Sequence, residues 1–349
     1  MEKEFLKLRK SLSFSPSHPL VLAEIGQAHE GSFNVAQSLV EMAVDAGADG
    51  IKCQIHIPEH ESTLDEMFRA GVTSRDKSRY AYWQRTALSA EEWADLRQLA
   101  RENGILFIPS VCSSKAIDIV AAMNVDGWKI GSAEALQPWF VDSILGLDMP
   151  TIVSTGIAYW GEIAEIVTKL KSHSADFAVL QCTSKYPTPL NEVLVETMER
   201  VAAEMSVPVG LSDHSGKVAP SIHALSRGAS VIEVHVTPHK GLRGFDSSSS
   251  LDFAQLKSIV AFRDDLVEMQ SQVLDKDGLS EALLELRSVF GRSAAPSSPI
   301  PQGAKIREDM ITFKKPGGGI SPDQIATIIG RTAKHDLSPM RIITQADLE

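Results

Sequence analysis

The 349-residue sequence predicts a (β/α)8 barrel followed by a small β-rich domain. Three observations predict it. About eight short apolar runs alternate with segments of helical periodicity. Nearly every run stops on a polar or ionisable side chain, as a barrel strand does at its catalytic rim. The alternation breaks down near residues 270 to 300, beyond which turn residues dominate. The runs are too continuously apolar for a sheet with one wet face, so both faces must be covered. An open doubly wound sheet would normally show a G-x-G-x-x-G turn after its first strand, and none stands there.

Taken in order, Val21 to Glu24 ends on a carboxylate. Gly50 to Gln54 sets Lys52 and Gln54 on one face and turns Cys53 toward the helices. Ile105 to Ser110 ends on a hydroxyl, and Gly127 to Glu134 carries Lys129, Ser132 and Glu134. Thr151 to Ser154 runs into Ser-Thr-Gly, and Ala178 to Cys182 runs into Thr-Ser-Lys-Tyr186. Val207 to His214 and Ala229 to His235 complete the set. Between them Val35 to Ala46, Ala90 to Glu102, Ile117 to Met123, Ile163 to Leu170 and Ala219 to Arg227 show helical spacing. His214 and His235 come from consecutive strand ends, and two imidazoles so placed can share a divalent metal while leaving positions open.

A chain of this length exceeds one barrel by roughly 60 to 90 residues. The expected division is a barrel over residues 1–270, a linker over 271–290 and a small domain over 291–349. That last segment is too short to be comfortable alone and is expected to lean on a neighbour. It holds eight Lys/Arg against six Asp/Glu, while the whole chain carries a net charge of −11. An acidic body argues against nucleic-acid binding. No apolar run reaches membrane-spanning length and no signal-peptide pattern opens the chain, so a cytoplasmic location is expected. The three cysteines, Cys53, Cys112 and Cys182, have no metal spacing along the chain and read as reduced packing residues.

The ordered series Ala23-Glu-Ile-Gly26, Gly50-Ile-Lys-Cys-Gln54, Lys129-Ile-Gly-Ser-Ala-Glu134, Ser154-Thr-Gly156, Tyr186-Pro-Thr-Pro189, Gly210-Leu-Ser-Asp-His214 and Ile232-Glu-Val-His235 resembles the sialic acid (N-acetylneuraminate) synthase family. The tail, with Lys314-Lys-Pro-Gly-Gly-Gly319, resembles that family's SAF, or antifreeze-like, domain. The resemblance spans roughly residues 20 to 349. It implies a transferase of nonulosonic acid biosynthesis that condenses phosphoenolpyruvate with N-acetylmannosamine or a related amino or deoxy hexose. Phosphate would leave by C–O cleavage. It also implies a homodimer whose SAF domain caps the partner's barrel.

The same resemblance assigns roles. Lys129, Ser132, Ser110, Ser154 and Ser212 would hold the phosphate, with Lys52 and Gln54 on the carboxylate side. His214 and His235 would carry Mn2+ or Mg2+. Glu24, Glu134 and Glu233 would handle protons and the cationic carbon, and Asp246 would reach the sugar and the metal region. Ser184, Tyr186, Asp246 and Lys315 would meet the sugar. Physical chemistry agrees in kind, since a dianionic substrate in a water-poor mouth needs cations and directed donors. An ammonium at a strand end is costly to bury without such a purpose. Asp213 is expected to orient a histidine or cap a turn, and His29 to be a structural rim histidine.

Departures from the family fall on the sugar side. Ser184 stands for an Asn, Asp246 is followed by Ser-Ser-Ser, and Lys315 stands where the tail usually has Arg. An ammonium is a point charge, whereas a guanidinium is a planar fork, so these residues leave the acceptor open. The alternatives are condensation with a different aldose or a sugar phosphate, or an idle barrel in a SAF-bearing binding protein.

Overall fold

Eight parallel strands close on themselves in chain order in the computed structural model, which describes residues 14–68, 76–242, 244–271 and 275–349. They are β1 (Leu20–Glu24), β2 (Gly50–Ile55), β3 (Leu106–Val111), β4 (Trp128–Ile130), β5 (Thr151–Ser154), β6 (Phe177–Cys182), β7 (Val209–Asp213) and β8 (Val231–His235). The covering helices are α1 (Phe33–Asp45), α4 (Ala90–Glu102), α5 (Ser114–Ala122), α6 (Pro138–Leu145), α7 (Trp160–Lys171), α8 (Val195–Met205), α9 (Ala219–Ser226) and α10 (Phe253–Gln270). Two short helices, α2 (Pro58–Glu61) and α3 (Arg79–Thr86), lie in the long connection between β2 and α4.

Local chemistry sets these bounds. Ser32 caps α1 by accepting the Val35 N–H, and Ser89 with Glu92 closes a capping box on α4. Helix α1 then buries Ala36, Leu39, Val40 and Ala43, one face at helical spacing, against the outside of the barrel.

Strand alternation sorts the rest. Val21, Ala23, Ile51, Cys53, Phe107 and Val179 point outward into the layer shared with the helices. Leu22, Leu106, Ile108, Ile152, Ala178, Leu180 and Val231 point inward and form a separate apolar plug with Phe14. Two glycines let the plug close: a Cβ on Gly50 would lie 2.8 Å from the Leu106 Cβ, and one on Gly210 would overlap the Val231 carbonyl. One step further along the same strands the inward residues are polar. Register makes neighbours of Glu24 and Lys52, of Glu24 and His235, of Gln54 and Ser110, of Ser110 and Lys129, and of Ser212 and Glu233.

The chain divides into two compact units, Met1–Ser271 and Gln272–Glu349. Of the segment read as a linker, 272–274 lie outside the described residues. The remainder forms α11 (Lys276–Ala282) and α12 (Leu284–Phe290). Beyond it, β9 (Ser293–Pro296) pairs antiparallel with β10 (Ile311–Lys314) over a core of Ala294, Ile300, Ile306, Ile320, Ile328, Leu337, Ile343 and Leu348. Ser293 latches the glycine tip, donating to the Pro316 carbonyl at 2.9 Å and accepting the Gly319 N–H at 2.9 Å. Among the described residues no helix is long and apolar enough to cross a membrane.

Candidate active site

The mouth of the barrel holds a buried charge lattice built on strand ends. Lys52 Nζ lies 2.6 Å from Glu24 Oε2, and Gln54 Nε2 donates to Glu24 Oε1 at 3.2 Å. Lys129 Nζ donates to Ser154 Oγ at 2.7 Å and lies 3.7 Å from Glu233 Oε2. Ser212 Oγ donates to Glu233 Oε1 at 3.0 Å. Glu24, Lys52, Lys129 and Glu233 are all buried, so each needs its partners. The two acids are driven apart. Burial, against the pull of Lys52 and with the push of Glu233, raises Glu24 toward its protonated form. Burial pushes Glu233 the same way, but Lys129, Lys52 and the Ser212 hydroxyl outweigh it and hold that carboxylate low.

A serine pocket adjoins Lys129. Ser132 Oγ accepts the Gly156 N–H at 2.8 Å, and a Cβ on Gly156 would overlap Ser184 Oγ, Ser132 Oγ and Cys182 Sγ. Glycine there keeps the space between those groups open. Ser184 is thus brought beside Ser132. Ser110, expected in the same pocket, is buried and donates to the Cys53 carbonyl at 3.3 Å. Strand β4 is only three residues long, so Glu134 does not end it. It sits on a 3-10 turn, Glu134–Leu136, with its carboxylate folded over Gly131.

Across the mouth the imidazoles of His214 and His235 lie 5.2 Å apart between ring centres. Thr183 accepts the His214 Nδ1–H at 2.9 Å, which fixes the tautomer and leaves Nε2 as the available lone pair. Burial and the neighbouring His235 lower the His214 pKa to about 3, keeping the ring neutral. Tyr186 stacks on His214 at 4.0 Å and meets His235 edge-on at 5.8 Å. Asp246 Oδ2 lies 3.8 Å from His235 Nδ1. A Cβ on Gly26 would sit 3.1 Å from Glu24 Oε1 and 3.5 Å from both Asp246 Oδ2 and His235 Nδ1. The glycine therefore leaves a cradle ringed by imidazole and carboxylate. Two imidazole nitrogen donors beside a carboxylate, with space between, suit a divalent cation with open positions.

Asp213 accepts the Ser215 N–H at 3.1 Å and the Ser215 hydroxyl at 2.6 Å, so it caps the turn after β7. His29 accepts the Gly31 N–H at 3.1 Å and meets Trp93 edge-on, a structural arrangement. Cys53 packs against the helices as its alternation predicts. Cys182 differs from its reading as a packing residue, because its Sγ lies 3.8 Å from His214 Nδ1. Sequence reasoning also passed over His56, whose ring stacks on Trp83 at 3.9 Å and whose Nε2 meets Gln54 Oε1 at 3.3 Å. Its signal was available, since it continues the inward face of Lys52 and Gln54. Lys315 belongs to the second unit, where its Nζ lies 5.4 Å over the Phe290 ring.

With this geometry in place, comparison decides the family. Residues 39–273 match the NeuB family, and residues 291–349 match the SAF domain. The chain belongs to the NeuB family. A similar relative is the pseudaminic acid synthase of Campylobacter jejuni (serotype O:2), 32% identical over 337 residues, covering 94% of this chain and 96% of that one. The human N-acetylneuraminate-9-phosphate synthase is 28% identical, with 90% and 88% covered. Among solved structures, the sialic acid synthetase of Leptospira borgpetersenii serovar Hardjo-bovis superposes with a TM-score of 0.68 at 23% identity, over 78% of this chain and 93% of that one. That likeness supports the barrel. As a NeuB-family acid synthase the protein is a phosphoenolpyruvate-dependent condensing transferase, and its product class is a nonulosonic acid.

Proposed function

We propose that this NeuB-family protein condenses phosphoenolpyruvate with N-acetylmannosamine or a related amino or deoxy hexose and releases phosphate by C–O cleavage. The observation that carries the proposal is the two-sided mouth: buried ammonium and serine groups face an imidazole–carboxylate cradle across one lumen. In this reading Lys129, Ser132, Ser154, Ser110 and Ser212 hold the phosphate, while Lys52 and Gln54 face the substrate carboxylate. His214 and His235, with Asp246 beside them, would hold Mn2+ or Mg2+. When bound, that ion supplies Lewis-acid polarisation of the acceptor's aldehyde oxygen.

The protein's own groups carry the remaining work. Carbon 3 of phosphoenolpyruvate forms a bond to the aldehyde carbon, and the electron deficiency moves to carbon 2. Glu233, held ionised by Lys129 and Ser212, stabilises that carbon electrostatically. Glu24, beside the Gly26 cradle and biased toward its acid form, donates the proton that turns the former aldehyde oxygen into a hydroxyl. Glu134 accepts the proton of the water that adds at carbon 2. The tetrahedral carbon then sheds phosphate, leaving the 2-keto acid. Tyr186 and Ser184 border the acceptor.

We further propose a homodimer in which Lys315 of one chain reaches the sugar bound in the other. A phosphorylated acceptor is the second reading, favoured by Lys315, whose point charge suits an anionic group. The test measures phosphate release from phosphoenolpyruvate with a panel of free and phosphorylated aldoses, with and without Mn2+. Release is expected only with both aldose and metal, and is expected to vanish in His214→Ala. In Lys315→Ala, KM should rise for the preferred sugar alone. Full turnover without metal, or release that ignores the aldose, would sink the reading. A preference for sugar phosphates selects the second.

A further inference from the structure

Strand register, rather than chain spacing, brings together a second set of metal-binding side chains. Gln54 pairs with Ser110 and Ile55 with Val111, so the next rung joins His56 to Cys112 at the tops of β2 and β3. The short helix α2 folds Glu61 back onto the same spot, where its Oε1 meets His56 Nδ1 at 2.5 Å. One donor atom each from His56, Glu61 and Cys112 lies within 4.8 Å of the others. Cys112 is a free thiol.

We propose that His56, Glu61 and Cys112 form a site for a soft divalent cation of the zinc class, separate from the His214–His235 pair.

Three features support it. The donor set is one nitrogen, one oxygen and one sulfur, the mixture that zinc takes and magnesium does not. The imidazole is already oriented: Trp83 stacks under its ring at 14° between planes, and Gln54 Oε1 faces Nε2 at 3.3 Å. A ligating histidine characteristically donates its other N–H to such an acceptor, which here leaves Nδ1 for the ion. The charges also balance. On coordination Cys112 releases its thiol proton to solvent, and thiolate plus the Glu61 carboxylate neutralise a dication beside a neutral ring. Three protein ligands leave a fourth position for water. The atoms must draw in from their present separation, which side-chain rotation of Glu61 and Cys112 supplies.

The test uses reduced, full-length protein loaded anaerobically with Co2+ alone, and then with Zn2+ alone. A near-ultraviolet thiolate-to-cobalt charge-transfer band is expected in the unmodified protein and in His214→Ala. Cys112→Ser is expected to lose the band and to bind one fewer zinc ion per chain. Glu61→Gln should keep the fold and weaken zinc by roughly tenfold or more. No band in the unmodified protein would overturn the proposal. So would a band that survives in Cys112→Ser, because Cys182 beside His214 would then be its source. Retention in His214→Ala separates this site from the catalytic reading, whichever way that reading falls.

Discussion

The floor and the mouth of the barrel are made by the same strands, one inward-facing position apart, yet they obey opposite rules. On β1, Leu22 lies in a dry plug and Glu24, two residues on, binds Lys52. On β3, Ile108 is followed by Ser110; on β5, Ile152 by Ser154; on β8, Val231 by Glu233 and then His235. Both layers are buried. The floor is held by contact and volume, so its members are separable. The mouth is held by mutual compensation of charge, so the loss of one member leaves another exposed to the cost of burial.

The largest effect that would sharpen this contrast is expected from Lys129→Ala. Removing that ammonium strips Glu233 of its main counter-charge and the phosphate of a donor, so the KM for phosphoenolpyruvate should rise roughly 100-fold. An unchanged KM in steady-state kinetics would break the assignment. On the floor, Leu106→Ala, whose strand neighbour is Gly50, should cost about 2 to 5 kcal/mol of stability through the cavity left behind. Urea denaturation reads that loss, and substrate KM values should stay within about twofold because the change touches no charge. A large KM change there would show that floor and mouth are mechanically coupled.

A further effect, seen only on acidification, concerns His29, just beyond β1. Burial, aided by His56, lowers its pKa from 6.5 to about 4. The unfolded chain therefore takes up a proton between those values while the folded chain does not. Stability is thus complete above pH 6.5 and falls as the pH drops toward 4, by up to about 3 kcal/mol. His29→Asn should flatten that slope in urea titrations at pH 7 and pH 4.5. An unchanged slope would show that His29 is not the group responsible.

The barrel and most of its mouth were legible because alternation along a strand is a strong signal. Lys52, Lys129, Ser154 and Glu233 each fall on a barrel strand that is mostly apolar, and a cation buried in that place must face an anion. His214 and His235 were legible for the same reason. Glu134 was read as part of the run that opens at Gly127 but lies past the end of its strand, because nothing local shows that β4 stops at Ile130. The pairing of Cys112 with His56 was invisible, since it depends on the register between two strands separated by the whole of α2, α3 and α4. Ser184 was read for the sugar, and its place beside Ser132 around Gly156 could be seen only from the fold of the turn after β6.

The missing Cβ atoms of Gly50 and Gly210 bear on traffic as well as packing. They let the plug pack closely across the lumen, so a molecule bound on the polar layer rests above packed apolar side chains. Lys129 and Ser154 lie buried in that layer, while Tyr186 is half-open to solvent. Whatever settles on those buried groups is expected to arrive ahead of a molecule that covers Tyr186, an order that product-inhibition kinetics would read. It is likewise expected to leave after that molecule, or the product made from it, has gone. That expected order would trace back to two residues that have no side chain at all.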